Sequence, residues 1–437
     1  MILSLGLKNF KSFRDIEIDF SKGNSAKQNV FIYGENGSGK SNIVSAFNFL
    51  KFSLNTLDVQ NRINEILHDK NDLKPKEIIR YFQQQKDYVA NFINKSKMID
   101  SESSMKLTYR FLINQKIATY SMTFDDQSIV EEELKYVMEK NVTTVYKATN
   151  KELYLQNDFI KTQAYKKELK SLYMQYFGKH SMLSIIMNER QQKNVTYIKD
   201  KFNDNFNIVM EYFMNICVWM KSNHMTEGHL MKNRNLLENM TQGKVDHKNQ
   251  KSLMKTEAAL NSFFTLLYPD IKGVYYQTEE TKSGIKYKLY FKKMLCGKSR
   301  DVPYNYESTG TIQILEILPY LFSAVQGYTV IIDEIDSNIH DLMIKAIIEA
   351  TNENLKGQLI TTTHNTSLLN TLDYDNVYVI DVDRNGYKNV FPINKAGSRI
   401  HENHNVQERY KSGLYGGVPY TGYIDMSEVL QKLSEIE

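Results

Sequence analysis

The sequence predicts an α/β fold, a phosphate-loop core joined to an antiparallel β subdomain and interrupted by a helical insertion. Three observations predict it. The apolar run Val30-Phe-Ile-Tyr33 leads into Gly34-Glu35-Asn36-Gly37-Ser38-Gly39-Lys40-Ser41 and then Asn42-Ile-Val-Ser-Ala-Phe-Asn-Phe-Leu50, giving strand, glycine loop and helix in the order a phosphate site needs. A second apolar run from Gly327 ends in the adjacent carboxylates Asp333 and Glu334. Between these two landmarks, alternating strand patterns around 105–135 give way to dense helical patterns across 150–270.

Taken in chain order, Ile2–Leu7 and Ile16–Phe20 alternate as strands around the break Lys8-Asn9-Phe10-Lys11-Ser12-Phe13, and would form an antiparallel pair leading to the loop strand. Residues 56–100 are polar and helical in tendency. Met105–Leu112 and Ile117–Phe124 read as strands, followed by a third strand-like run over 128–137. Helical patterns then dominate, including one continuous helix read from Phe206 to Trp219. A lysine- and asparagine-rich stretch at 221–255 reads as an exposed, mobile connection. Strands return at Val274–Gln277 and Ile285–Phe291 around Lys282-Ser283-Gly284, and strand and helix alternate to about residue 394. Val377–Asp383 and Tyr387–Pro392 form a hairpin around Asn385-Gly386. The expected organisation is a first lobe at 1–149, the helical insertion at 150–270, a second lobe at 271–394 and a tail at 395–437 that docks on the head.

Composition narrows the class. The chain has 437 residues, 41% hydrophobic and 24% charged, as expected of a globular protein with a sizeable core. A net charge of +4 permits nucleic-acid contact, but no concentrated basic tract argues for it. The two cysteines, Cys217 and Cys296, lack metal-ligand spacing, so no disulfide framework or zinc site is expected and a reducing, cytoplasmic compartment is the natural one. No apolar run reaches the length of a membrane span, and the N-terminus has no signal-peptide profile.

The motifs carry the chemistry. The loop glycines let backbone N–H groups turn inward around phosphate, and the helix N-terminus adds partial positive charge. Lys40 would reach the β- and γ-phosphates and Ser41 would ligate Mg2+. Asp333 would hold the metal through water and Glu334 would orient and deprotonate the attacking water, although a carboxylate pair after a strand is also a common helix cap. The next strand, Gly357–Thr363, ends in His364, placed to sense the γ-phosphate, and Asp336 lies in the D-loop position between them. Upstream, Ser308-Thr-Gly310 opens a long apolar helix and would present N–H groups to an anion; in this order, before the carboxylate strand, it resembles the signature motif that completes the site of a second molecule, whereas alone Ser308 would be an ordinary N-cap. Gln83-Gln84-Gln85 reads as polar helix surface rather than a Q-loop, and Asp381-Val-Asp383 as part of the hairpin.

The order phosphate loop, long insertion, signature, carboxylate strand, D-loop and switch histidine resembles the ABC-type ATPase heads of the SMC, RecF and OLD group, as does the opening Leu7-Lys8-Asn9-Phe10-Lys11-Ser12-Phe13. More closely, Gly34–Asn42, Glu307–Thr311 with Leu318-Pro319, Ile331–His340, Thr361–Asn365 and the tail Tyr410–Pro419 resemble the small stand-alone bacterial ATPases of abortive-infection and other phage-defence operons (AbiL-type, related to OLD). The resemblance covers both ends of the chain and not its middle. It implies an ABC-ATPase-type head that binds ATP and Mg2+, with Gly34, Asn36–Asn42, Ser308, Gly310 and Asp336 contacting nucleotide, Ser41 and Asp333 serving the metal, and Glu334 and His364 acting in catalysis. It also implies a homodimer or higher homo-oligomer and a separate effector protein, with a RecF-like DNA-associated ATPase as the alternative. The chain departs from SMC proteins in lacking a heptad-patterned insertion, and from OLD nucleases in having only about 70 residues after His364, too few for a Toprim domain. Met210, Tyr212, Phe213, Met214 and Trp219 suit either adaptable partner contacts or the insertion's own core.

Overall fold

A six-stranded sheet forms the centre of the structure, in the order Cys217–Trp219, Thr329–Ile332, Gln358–Thr362, Asn29–Tyr33, Val377–Val382 and Lys388–Pro392. The first five strands are parallel and the last is antiparallel, formed by the hairpin at Asn385-Gly386. This computed structural model describes residues 1–68, 88–220, 237, 239–396, 405–418 and 426–434.

Parallel strands are buried on both faces, so apolar residues dominate their centres and alternate between two cores, while polar residues such as Gln358 and Thr362 stand at the strand ends. Val30, Ile32, Ile331, Ile360 and Tyr378 point to one core, shared with Ile43, Val44 and Phe47 of the helix Lys40–Ser53. Phe31, Tyr33, Val330, Ile332, Leu359 and Val379 point to the other, with the helices Thr309–Val325, Asp341–Glu353 and Gln250–Leu267.

The first core also holds a seven-stranded sheet, Leu153–Leu155, Val142–Thr149, Ile129–Val137, Lys116–Phe124, Met105–Ile113, Ile2–Phe10 and Phe13–Asp19 in that order, with every pairing antiparallel. Its alternating burial is what period-two sequences produce when one face is covered. The second core is roofed by Gln242–Val245, Gly284–Leu295, Ile271–Thr281 and Lys298–Pro303. No helix among the described residues is long and apolar enough to cross a membrane.

Two expectations change. The helix read from Phe206 to Trp219 ends at Met214, and Cys217–Trp219 becomes the edge strand of the central sheet beside Thr329–Ile332. The signal was present in the β-branched and aromatic run Cys217-Val-Trp219, but the helical pattern just before it masked the switch of period. The helices Gln163–Tyr176, Met182–Gln192 and Asp204–Met214 bury Leu169, Ile186, Met210 and Phe213 in the first core, Trp219 is also buried, and Tyr212 and Met214 are half-buried against that core, which favours the core alternative for these side chains. Of the stretch 221–255, residues 221–236 and 238 lie outside the described residues, while Gln242–Val245 is a strand and a helix starts at Gln250. Gln83–Gln85 also lie outside the described residues. The strands Val142–Thr149 and Lys298–Pro303 had no expectation attached; the first buries Val145, Tyr146 and Ala148 behind a threonine-rich start, and the second is polar and largely exposed.

One buried carboxylate joins the antiparallel sheet to the helices. Glu132 is fully buried and accepts hydrogen bonds from Tyr120 Oη (3.0 Å), Tyr146 Oη (2.8 Å) and the amide of Met182 (2.6 Å) at the start of its helix. Burial pushes its pKa up and the hydrogen bonds partly oppose that. Glu132→Ala should therefore cost about 2–4 kcal/mol, because several buried donors lose their acceptor, read as a lower denaturation midpoint at unchanged slope. Since the folded-state pKa is raised, the native state binds this proton more tightly. That contribution is full below the unfolded pKa and falls as pH rises through the folded value, so Glu132→Gln should flatten this part of the stability–pH curve.

Candidate active site

The carboxyl ends of the three adjacent strands Thr329–Ile332, Gln358–Thr362 and Asn29–Tyr33 bring together residues that are hundreds of positions apart. Ligands of open α/β sheets bind at such strand ends. From the third strand the chain passes into the loop Gly34–Gly39 and the helix Lys40–Ser53. Gly39 has φ +114° and no side-chain cap, and a Cβ there would lie 2.9 Å from Phe13 Cζ, so glycine alone fits between the loop and the N-terminal hairpin. The helix N-terminus consequently keeps its backbone donors for an anion.

Lys40 is buried, and its Nζ donates to the carbonyls of Gly34 (2.7 Å) and Glu35 (3.1 Å). Burial lowers its pKa while Glu334, Asp333, Asp336 and Glu35 act in the opposite direction, which places one ammonium in the field of four carboxylates. Ser38 is buried with no partner for its hydroxyl among the described residues, Asn36 is exposed on the loop, and Asn42 Nδ2 donates to Ser12 Oγ at 3.1 Å.

The carboxylates follow the middle of the site. Asp333 is buried, and burial raises its pKa; hydrogen bonds from Thr362 and Ser41 counter this, so Ser41 and Asp333 already face one another. Thr362 Oγ1 donates to Asp333 Oδ1 at 2.6 Å and accepts from the Glu334 amide at 2.8 Å, holding both acidic residues with a single hydroxyl. Glu334 turns out of the strand in the left-handed region, φ +48°, which costs a non-glycine residue energy and aims its side chain away from the strand path. Asp336 is buried, with Oδ1 unpartnered and Oδ2 3.6 Å from Nε2 of the half-exposed His364.

The expected residues thus gather in two groups. Gly34–Asn42, Asp333, Glu334, Asp336 and His364 surround the strand ends. Ser308 and Gly310 stand at the start of Thr309–Val325, where Ser308 caps the helix by accepting from the Thr311 amide at 3.1 Å. Gly310 lies so close to the D-loop that a Cβ would be 2.7 Å from the Asn338 carbonyl.

Three residues of the site had no expectation. Thr362 sits in a threonine run whose strand propensity hid its polar role. Lys11, φ +51°, occupies the tight turn between the paired Phe10 and Phe13; burial lowers its pKa and Asp333 raises it, so a second ammonium acts on the same carboxylate. A lysine held in a two-residue turn was the available signal. Lys388, from the antiparallel edge strand, donates to the Gly37 carbonyl at 2.8 Å; only tertiary pairing brings it there.

Residues 1–369 match the AAA ATPase domain family. The chain belongs to that family. No curated protein matches the chain. Among solved structures, this ATPase domain is similar to an SMC head bound to the C-winged helix domain of ScpA, at 15% identity over 89% of this chain and 96% of that one, TM-score 0.45. It is also similar to the SMC head domain from Thermotoga maritima (18% identity, 90% and 98% covered, TM-score 0.38). A third is the Smc head domain with an extended coiled coil bound to the C-terminal domain of ScpA derived from Pyrococcus furiosus (14% identity, 100% and 99% covered, TM-score 0.42).

Thr362→Val keeps the shape of the ATPase domain's strand but removes the hydroxyl that positions Asp333 and Glu334. The expected outcome is a stable protein whose nucleotide turnover falls about 10- to 100-fold and needs more Mg2+ for half-maximal rate, the usual cost of losing a group that orients a metal-binding side chain. A magnesium titration of wild-type and variant protein measures it, and identical curves would remove the role given to Thr362.

Proposed function

We propose that the chain hydrolyses ATP at the strand-end site as an ABC-type head, and that ATP clamps two copies together. The observation that carries this reading is the convergence of Lys40, Ser41, Glu334 and the Thr362 hydroxyl on Asp333. The residues fit a bound nucleotide and metal. The buried Ser38 hydroxyl and Asp336 Oδ1 have no partner, and the neutral carbonyls now bonded by Lys40 are acceptors that phosphate oxygens would replace. Magnesium takes only one or two protein ligands when phosphates supply the rest, and Ser41 with Asp333 are placed for that.

In the reaction, Glu334 accepts a proton from water as the water oxygen bonds to the γ-phosphorus, and the bond to the β,γ-bridging oxygen breaks. Lys40 and the helix N-terminus balance the charge that collects on the departing ADP. Burial raises the pKa of Asp333, and the hydroxyls of Thr362 and Ser41 with the Lys40 ammonium oppose that shift. We assign to His364, whose Nε2 lies 3.6 Å from Asp336 Oδ2, the sensing of the γ-phosphate. Magnesium, when bound, supplies further neutralisation of the phosphate oxygens.

Ser308 and Gly310 open a helix that abuts the Asn338 carbonyl, and we assign them to the nucleotide of a second copy on the order of the motifs along the chain. In the cell we assign the protein to the control of a separate effector in a bacterial anti-phage, abortive-infection system, on the combined motifs at both ends of the chain. A RecF-like, DNA-associated role is the second reading. One observation favours it: Lys244, Lys286, Lys288 and Lys292 share the outer face of the four-stranded roof with Tyr275 and Tyr290, although Glu279 and Asp301 interrupt the face.

Glu334→Gln should leave ATP binding intact and slow hydrolysis by roughly 10²- to 10⁴-fold, measured by phosphate release and by equilibrium binding of labelled ATP. Turnover at the native rate would remove Glu334 as the base. Lys40→Ala and Ser308→Arg should each be inactive alone. Mixed, they should recover about one intact composite site per heterodimer; two folded mutants that show no recovery at any ratio would exclude the head-to-tail arrangement.

A further inference from the structure

The C-terminal segment 405–418 lies on the nucleotide loop. Its helix, Val406–Lys411, is capped by Asn405 and joins the turn that follows His364: Gln407 Nε2 donates to Thr366 Oγ1 at 3.2 Å, and Asn370 Nδ2 donates to Gln407 Oε1 at 3.0 Å. One turn on, the Tyr410 ring meets the ring of Tyr33 edge-on, with centroids 5.7 Å apart. Tyr33 is the residue immediately before Gly34. The Tyr410 hydroxyl donates to the Gly417 carbonyl at 2.8 Å, so the segment closes into a small loop on itself. Tyr415 is 1% exposed and shares the second core with Tyr33 and Val379.

Two glycines make the approach possible. Gly416 and Gly417 have φ of +73° and +69°, which side chains disfavour. A Cβ on Gly416 would lie 2.4 Å from Asp381 Oδ1. A Cβ on Gly417 would lie 2.5 Å from Val379 Cγ1, 3.1 Å from the Ile380 carbonyl and 3.6 Å from Gly34 Cα. A tail that merely ended the chain would need neither the buried tyrosines nor a backbone pressed against the first glycine of the phosphate loop. The Glu35 carboxylate on the same loop also acts on Tyr410.

We propose that residues 405–418 are a positioning strap that fixes the start of the phosphate loop and couples nucleotide binding there to the turn 364–370 behind His364. The strap's contacts run to Tyr33, Thr366, Asn370 and the backbone beside Gly34, so it acts through these residues as a positioning element. It rests on the ATP-binding reading above. Coupling of this kind is reciprocal: nucleotide changes the strap, and the strap changes nucleotide affinity.

The experiment uses the full chain. Hydrogen exchange is measured on peptides from 405–418 with and without Mg2+ and a non-hydrolysable ATP analogue, and affinity is measured with fluorescent ATP. Nucleotide is expected to slow exchange across 405–418. Tyr410→Phe, which removes one hydrogen bond, is expected to weaken nucleotide binding about 3- to 10-fold and raise KM with little change in kcat. Gly416→Ala should weaken binding too, and Asp381→Ala in the same chain should restore part of it by removing the oxygen that the new Cβ meets. Unchanged exchange in the wild type, or a folded Tyr410→Phe protein that binds ATP as tightly as the wild type, overturns the strap while leaving the ATP site standing. Failure of the wild type to bind ATP overturns both.

Discussion

A threonine hydroxyl at the end of a parallel strand holds the chemistry of this molecule together. Thr362 bonds the side chain of one neighbouring acid and the backbone of the next, so Asp333 and Glu334 inherit the rigidity of the sheet. This works only because Ile332 pairs with Thr361 and Thr362 with Ile32, a register that sets three strand ends level. Slip that register by one residue and every inward side chain changes core. The two buried faces of the sheet therefore fix the geometry of the site, and the polar groups at its rim contribute the reactivity.

The rim is electrostatically crowded. Lys40 and Lys11 answer Asp333, Glu334, Asp336 and Glu35 in a setting where burial works against each charged lysine and against ionised Asp333. Low dielectric strengthens these attractions and also makes an unbalanced charge costly. An arriving polyphosphate would redistribute the balance, because Lys40 can exchange carbonyl partners for phosphate oxygens without leaving its place. The left-handed Glu334 and the left-handed Asn338 against Gly310 mark the same stretch of chain as conformationally constrained.

Much of this is legible in the sequence. Glycine spacing, the apolar runs before Gly34 and Asp333, and the hairpin at Asn385-Gly386 are local signals, and local signals survive tertiary context. What was not legible depended on pairing at a distance. Lys388 reaches Gly37 because an antiparallel strand folds beside the loop, and Thr362 matters because of which strand lies next to it. Cys217–Trp219 was misread for a related reason: three residues are too few to establish a period of two after an eleven-residue helix, and only the partner strand decides their conformation.

That short strand has a consequence for how the chain could be altered. It is the sole neighbour of Thr329–Ile332 on that side of the sheet, and it is supplied by the segment that follows the helices of the middle. Excising those helices together with Cys217–Trp219 would uncover a row of unpaired amides and carbonyls on an entirely buried, valine- and isoleucine-rich strand. Such an edge recruits strands from other molecules, so the shortened chain would face self-association before it faced loss of activity. The middle of the protein is thus a guard on the solubility of its own core, and a graft or truncation there succeeds only if it stops before Asn215.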